Sequence, residues 1–180
     1  MSEITLSDNM KYIDSRLRIL IDVEPRGRAN MPNTNITPST EEDSAYVRQQ
    51  LVAYNAAHVS EDLRNRYEEL HFHIRNEAGQ IVAGVLSTLC WNWLELDILW
   101  VDAKERHKGY GTKLLQEVER LAREKGCDFI MLNTFSYQAP EFYLKHGYEL
   151  MTMIENAPTG HQQYYFKKDL IRSEGAEASR

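Results

Sequence analysis

The rhythm of apolar and polar positions changes several times along the chain, and each change marks an element. Residues 16–23, Arg-Leu-Arg-Ile-Leu-Ile-Asp-Val, alternate at their ends and are rich in branched aliphatics, which predicts a first strand. Residues 24–38 hold three of the five prolines with Gly27 and several Asn and Thr residues, which predicts a loop. Its length suits either a plain surface connection or a substrate-side lid. Ser39-Thr40-Glu41-Glu42 then has the form of a capping box, with Ser39 as N-cap and Glu42 reaching back. The helix it opens carries Val47, Leu51, Tyr54 and His58 on one stripe and ends near Val59 or Ser60. Residues 62–69 are highly charged and suit a short helix or an irregular connection.

Period-two patterning follows. Residues 70–75 alternate, Asn76-Glu77-Ala78-Gly79 reads as a hairpin turn, and residues 80–89 read as the returning strand. Residues 91–101 alternate again. Trp91, Trp93, Glu95, Asp97, Leu99 and Val101 fall on one side, and Leu94, Leu96, Ile98 and Trp100 on the other. The short connections predict an antiparallel meander. Leu114, Leu115, Val118, Leu121 and Ala122 form a helical stripe from Gly109 onward that must face a sheet, and Gly126 is its stop. Residues 128–133 are apolar on both sides. They fit a central strand parallel to its predecessor, reached by a right-handed helical crossover. A helix over 138–145, a strand over 148–154, a turn at Pro158-Thr159-Gly160 and a strand over 162–168 complete the pattern. Residues 1–15 read as a flexible N-terminus, 16–170 as one domain and 171–180 as a disordered polar tail. The predicted class is α/β with a mixed sheet.

Composition narrows the function classes. The chain has 180 residues, 42% of them hydrophobic, enough for one domain with a substantial core. No apolar run approaches the ~20 residues that cross a bilayer, and the polar start lacks a secretory apolar segment. Cys90 and Cys127 form no C-x-x-C pair, so reduced thiols in a cytoplasmic protein are expected. No His, Cys or carboxylate group has metal-ligand spacing, and His71 and His73 read as half-buried strand residues. A net charge of −6 speaks against a general nucleic-acid surface, which needs a basic face. Against that acidic background, Lys104, Arg106, His107, Lys108 and Lys113 cluster in one place.

That place is the turn Arg106-His107-Lys108-Gly109-Tyr110-Gly111, an R-x-x-G-x-G pattern between a strand and a helix. Glycine lets a ligand approach the backbone closely. The helix that follows leaves its first N–H groups without intrahelical partners, at the positive end of its dipole. The turn therefore reads either as a phosphate or pyrophosphate cradle or as a tight turn with a basic face. The Walker pattern is absent, and Leu114 occupies the third glycine position of the dinucleotide fingerprint.

Together with Asn133 and the segment Ala139-Pro140-Glu141-Phe142-Tyr143-Leu144-Lys145-His146-Gly147-Tyr148, this pattern resembles the GNAT superfamily of N-acetyltransferases, whose second motif is A-x-x-F-Y-x-x-x-G-F/Y. The resemblance covers roughly residues 70–168. It implies a mostly antiparallel mixed sheet, splayed between its fourth and fifth predicted strands, with helices on both faces. It implies acetyl-CoA as cosubstrate, its pantetheine arm lying along backbone groups near Leu99 and Val101 as an added strand would. Trp100 either packs on that arm or belongs to the core. Backbone N–H groups of Arg106, His107, Lys108, Gly109, Tyr110, Gly111 and Thr112 would hold the pyrophosphate, and Asn133 would reach the arm through its amide.

By the same resemblance, Tyr143 would protonate the departing thiolate, and Glu95 or Asp97 would deprotonate the amine, directly or through water. His73 and His161 are weaker candidates for the base. The expected acceptor is a small-molecule or exposed protein amine. Tyr46, Tyr67, Trp91, Trp93 and Glu95 would suit a cationic one. An acyl-CoA-binding module without catalysis and a toxin modifying aminoacyl-tRNA are the competing expectations. The acidic balance opposes the second. No membrane partner is expected, and homodimerisation through the last strands follows from the family alone.

Overall fold

The computed structural model describes residues 35–170. The expected strand over 16–23, the tail over 171–180 and most of the 24–38 loop lie outside the described residues. The chain divides after Arg64 into two compact units.

In the first unit, helix α1 spans Glu41–His58. Its capping box sits one residue later than expected. Thr40 is the N-cap, its Oγ1 accepts from Asp43 N at 3.1 Å, and Asp43 Oδ2 accepts from Thr40 N at 2.8 Å. Aspartate here completes the reciprocal pair that the Ser39–Glu42 reading assigned to glutamate. Tyr54 and His58 do share a stripe, with rings stacked 4.1 Å apart. Residues 61–65 form turns rather than a helix.

The second unit is a six-stranded sheet. β1 (Tyr67–Arg75), β2 (Ile81–Cys90) and β3 (Trp93–Val101) form the expected antiparallel meander. β1 begins three residues earlier than its alternation indicated, and His71 and His73 are exposed rather than half-buried. A 3-10 turn, Ala103–Glu105, leads into α2 (Tyr110–Glu124). β4 (Phe129–Phe135) then pairs parallel with β3. Helix α3 (Pro140–Lys145), β5 (Glu149–Glu155) and β6 (Gln162–Asp169) follow, and β6 inserts between β4 and β5 to give the order β1-β2-β3-β4-β6-β5.

The core lies under α2. Leu114, Leu115, Val118 and Ala122 pack with Val85, Leu89, Leu94, Leu96, Ile130 and Leu132. Each fully buried Leu or Val contributes roughly 1.5–3 kcal/mol relative to exposure. The helix ends as expected at Gly126. Cys127 N donates to Ala122 O at 2.9 Å and Gly126 N to Arg123 O at 3.0 Å, the two bonds of a Schellman cap. Glu119 shares the buried face, where Lys168 Nζ donates to both its carboxylate oxygens at 2.8 Å.

The regular alternation expected for β3 breaks at Asp97. Leu86 pairs with Ile98 and Ser87 with Leu96, so Asp97 is an extra residue, a bulge. A one-residue insertion reverses which side chains face the core from that point. Leu94 and Leu96 are buried, whereas Ile98 and Trp100 are 51% and 44% exposed, and Leu99 and Val101 take over the core side. Trp100 therefore does not belong to the core.

Candidate functional site

The parallel pairing of β3 with β4 covers four residues, Trp93 to Leu96 against Phe129 to Leu132, and then stops. Beyond it the strands part, because β3 bulges at Asp97 while β4 continues straight along β6 from Asn133 to Phe135. An open cleft of about 770 Å³ occupies the gap. That size falls within the usual range for small-molecule sites.

One wall is β3, where Asp97, Leu99, Trp100 and Val101 line the cleft. Thr88 Oγ1 donates to Asp97 Oδ2 at 3.0 Å, which fixes the bulge carboxylate against β2. Asn133 of β4 lines the opposite wall, and its Oδ1 accepts from Gln163 Nε2 at 3.0 Å, which orients the amide. Tyr137 and Gln138 extend that wall and carried no sequence signal. Gln138 Oε1 accepts from Thr134 Oγ1 and Phe135 N, both at 2.9 Å, and so shapes the turn after β4.

The glycine turn forms one end. Arg106, His107, Gly109, Tyr110, Gly111 and Thr112 all line the cleft. Lys108 does not; its Nζ turns to Glu105 Oε2 at 2.8 Å. Arg106 Nε donates to Val101 O at 3.4 Å, tying the turn to the end of β3. His107 and Gly109 have φ of +67° and +82°. For His107 a left-handed conformation costs roughly 1–2 kcal/mol, and alternating handedness turns successive N–H groups to one side as an anion nest. Gly109 is the N-cap of α2 and offers no side-chain cap. The first helical N–H groups are thus left for a ligand. Gly111 packs closely in the first turn of α2, where a Cβ would meet the Phe142 ring at 3.6 Å and Val101 Cγ2 at 3.7 Å, both ordinary packing distances.

Tyr143 closes the site from α3. It lines the cleft yet is 7% exposed, with Tyr148 and Phe166 rings 5.8 and 6.1 Å away. Burial pushes its phenol up to about 12. Gly147, at φ +79°, lets the chain reverse so that Tyr148 N donates to Tyr143 O at 3.1 Å. A side chain at that φ would strain the reversal that seats Tyr143. A second bond ties α3 to the cradle, with Thr112 Oγ1 3.0 Å from His146 Nε2. Neither this pair nor the Glu119–Lys168 pair is legible in spacing, because their partners lie far apart in sequence.

Of the acid and base candidates, Tyr143 and Asp97 share the cleft lining, and Glu95 is not in it. Glu95 instead acts on Cys90, whose thiol is pushed up to about 11, mainly by burial and then by the Glu95 charge. Trp91 and Trp93 stand at the closed end of the β3–β4 pair, where Trp93 stacks on Phe129 at 5.9 Å. They do not line the cleft. His73 and His161 are likewise outside it; His161 packs edge-on to the lining residue Tyr137 at 4.8 Å. Among the described residues no group of three or more His, Cys, Asp or Glu could hold a metal, and no helix is long and apolar enough to cross a membrane.

Comparison with known proteins adds the following. The family model described as "Acetyltransferase (GNAT) family" matches residues 39–148. Blasticidin-S acetyltransferase of Streptomyces morookaense is 38% identical over 95 residues, covering 52% of this chain and 70% of that protein. The crystal structure of an acetyltransferase from Bacillus cereus is 40% identical with a TM-score of 0.72, covering 76% of this chain and 97% of the other. A Bacillus anthracis acetyltransferase solved in complex with acetyl coenzyme A shares the fold, with a TM-score of 0.51 at 22% identity, over 58% of this chain and 64% of the other.

Proposed function

Because the chain belongs to the acetyltransferase (GNAT) family, we propose that it uses acetyl-CoA to acetylate the primary amine of a small molecule, with the splayed cleft as its active site. The observation that carries this reading is one cleft lined at one end by the glycine turn, along one wall by the stretch of β3 beyond its pairing with β4, and at its closure by Tyr143. Diphosphate oxygens accept from the N–H groups of the turn and the first turn of α2, assisted by Arg106 and His107. The pantetheine arm runs beside Leu99, Trp100 and Val101 and takes a hydrogen bond from Asn133.

The acetyl thioester then lies between Asp97 and Tyr143. The neutral amine nitrogen attacks the carbonyl carbon, the carbon–sulfur bond breaks, and the thiolate takes its proton from the Tyr143 phenol. The proton lost by the amine passes to Asp97, directly or through water, and exchange with solvent then returns a proton to the Tyr143 phenolate and removes the one on Asp97. Burial keeps the Tyr143 phenol protonated at any working pH, the form a general acid must start from. General acid help of this kind contributes typically ~10²–10⁴-fold. A carboxylate and the exposed ring of Trp100 in one lining favour a cationic acceptor. The antibiotic-modifying relative named above makes an aminated antibiotic the first class to test.

A thiol-release screen with acetyl-CoA against antibiotics, polyamines, amino acids and peptides tests the proposal. Release with a small cationic amine, lost with neutral analogues, is the expected outcome. Tight CoA binding without release for any amine would point instead to a binding module without catalysis.

A further inference from the structure

His146 lies where the end of α3 meets the first turn of α2. Its Nδ1 is 2.7 Å from Phe142 O and its Nε2 is 3.0 Å from Thr112 Oγ1. A carbonyl oxygen only accepts, so Nδ1 carries a hydrogen. Two states remain at Nε2. In the neutral ring Nε2 is a lone pair, and the Thr112 hydroxyl must donate to it. In the imidazolium, Nε2–H donates to Oγ1 and the hydroxyl hydrogen is released. Thr112 lines the cleft. The first state therefore presents only oxygen lone pairs to an anion there, and the second presents a donor backed by a positive charge.

We infer that His146 is a positioning residue for the anionic ligand: acting through Thr112, it takes up a proton when a diphosphate binds and turns that hydroxyl into a donor. This rests on the diphosphate reading of the glycine turn. The ring is held for the role. It packs on Phe142 at 4.2 Å, and its backbone carbonyl accepts from Lys168 Nζ at 2.7 Å. The charged groups around it are Lys168 on β6 and Glu119 on α2, which grips Lys168 Nζ at 2.8 Å. Glu141, Tyr143 and Lys145 share its helix, and Lys113 follows Thr112 on α2. The same contacts join the cradle to the helix that carries Tyr143, so the protonation of one ring reports on both.

Calorimetry with 3′-dephospho-CoA tests the inference, because its diphosphate diester stays fully ionised while histidines titrate, between about pH 7.5 and about pH 5.5. Wild type is expected to bind several-fold more tightly as pH falls, within the limit of about tenfold per pH unit for one linked proton. Heats measured in buffers of different ionisation enthalpy should show net proton uptake. His107 lines the same turn, so the decisive quantity is the difference between proteins. His146→Gln and Thr112→Val should each lower the uptake by about one proton and flatten the slope. Thr112→Val keeps the imidazole and its bond to Phe142, so flattening there cannot come from collapse of α3. Equal uptake in wild type and both variants, or a wild type with no pH dependence, would overturn the inference while leaving the diphosphate reading intact. Absence of binding at every pH would remove the diphosphate reading itself.

Discussion

Replacing Lys168 by methionine should be among the most damaging single changes away from the cleft walls. Lys168 Nζ makes three short contacts, 2.8 Å to each oxygen of Glu119 and 2.7 Å to His146 O. The two side chains are 20% and 8% exposed. Methionine matches the stem but leaves the Glu119 carboxylate inside the α2–sheet interface. Breaking one side of a buried pair typically costs ~3–5 kcal/mol. Arg123 stays 3.6 Å from Glu119 and compensates in part, which points to the lower end, about 3 kcal/mol. For a chain of this size that is a fall in Tm of roughly 6–12 °C. Urea denaturation read by tryptophan fluorescence and far-UV circular dichroism measures it. Arg120→Ala serves as the contrast, since its pairs with Glu117 and Glu124 are surface contacts. Those exposed pairs are screened by solvent and should contribute little to stability. Lys168→Met/Glu119→Leu should recover most of the loss, because an apolar pair can replace a buried ionic one. A Lys168→Met loss no larger than that of Arg120→Ala would refute the reasoning.

The other predictions concern the site. Tyr143→Phe should lower kcat by ~10²–10⁴-fold with little change in CoA affinity, and equal turnover would remove the phenol from the chemistry. A general acid works only while protonated, and Tyr143 loses its proton only as pH rises through about 12, so no loss of wild-type kcat below about pH 10 should trace to it. Gly109→Ala places a side chain at φ +82° and should cost roughly 1–2 kcal/mol of stability while weakening CoA binding, measured by denaturation and calorimetry. Cys90, pushed up to about 11, should react with a thiol reagent near pH 8 about tenfold more slowly than an ordinary thiol, the higher nucleophilicity of its thiolate offsetting part of the lost ionisation. Labelling at the ordinary rate would contradict that environment.

Elements governed by local rules were legible from the residues. The α2 stripe, its stop at Gly126, the hairpin at Asn76 to Gly79 and the parallel β4 all follow from short-range patterns of apolar residues and turn formers. The glycine turn was legible for the same reason, since backbone permissiveness and a helix start are local properties. What failed depended on tertiary pairing. A bulge leaves no mark in an alternating sequence, so the switch of faces at Asp97 was invisible and Trp100 stayed ambiguous. Lys108 belongs to the basic cluster by composition, yet its ammonium turns away to pair with Glu105, three residues off. The insertion of β6 between β4 and β5 and the contacts of His146 and Glu119 join residues far apart in sequence. No window of sequence contains both partners.

The central claim is that main-chain amides of the turn hold the diphosphate of CoA while its arm lies in the β3–β4 gap. A crystal structure with bound CoA measures that most directly. The account predicts diphosphate oxygens within hydrogen-bonding distance of N–H groups between Arg106 and Thr112, and the arm beside Leu99 and Val101 with its sulfur near Tyr143. CoA bound elsewhere with this turn empty, at saturating concentration, would contradict it.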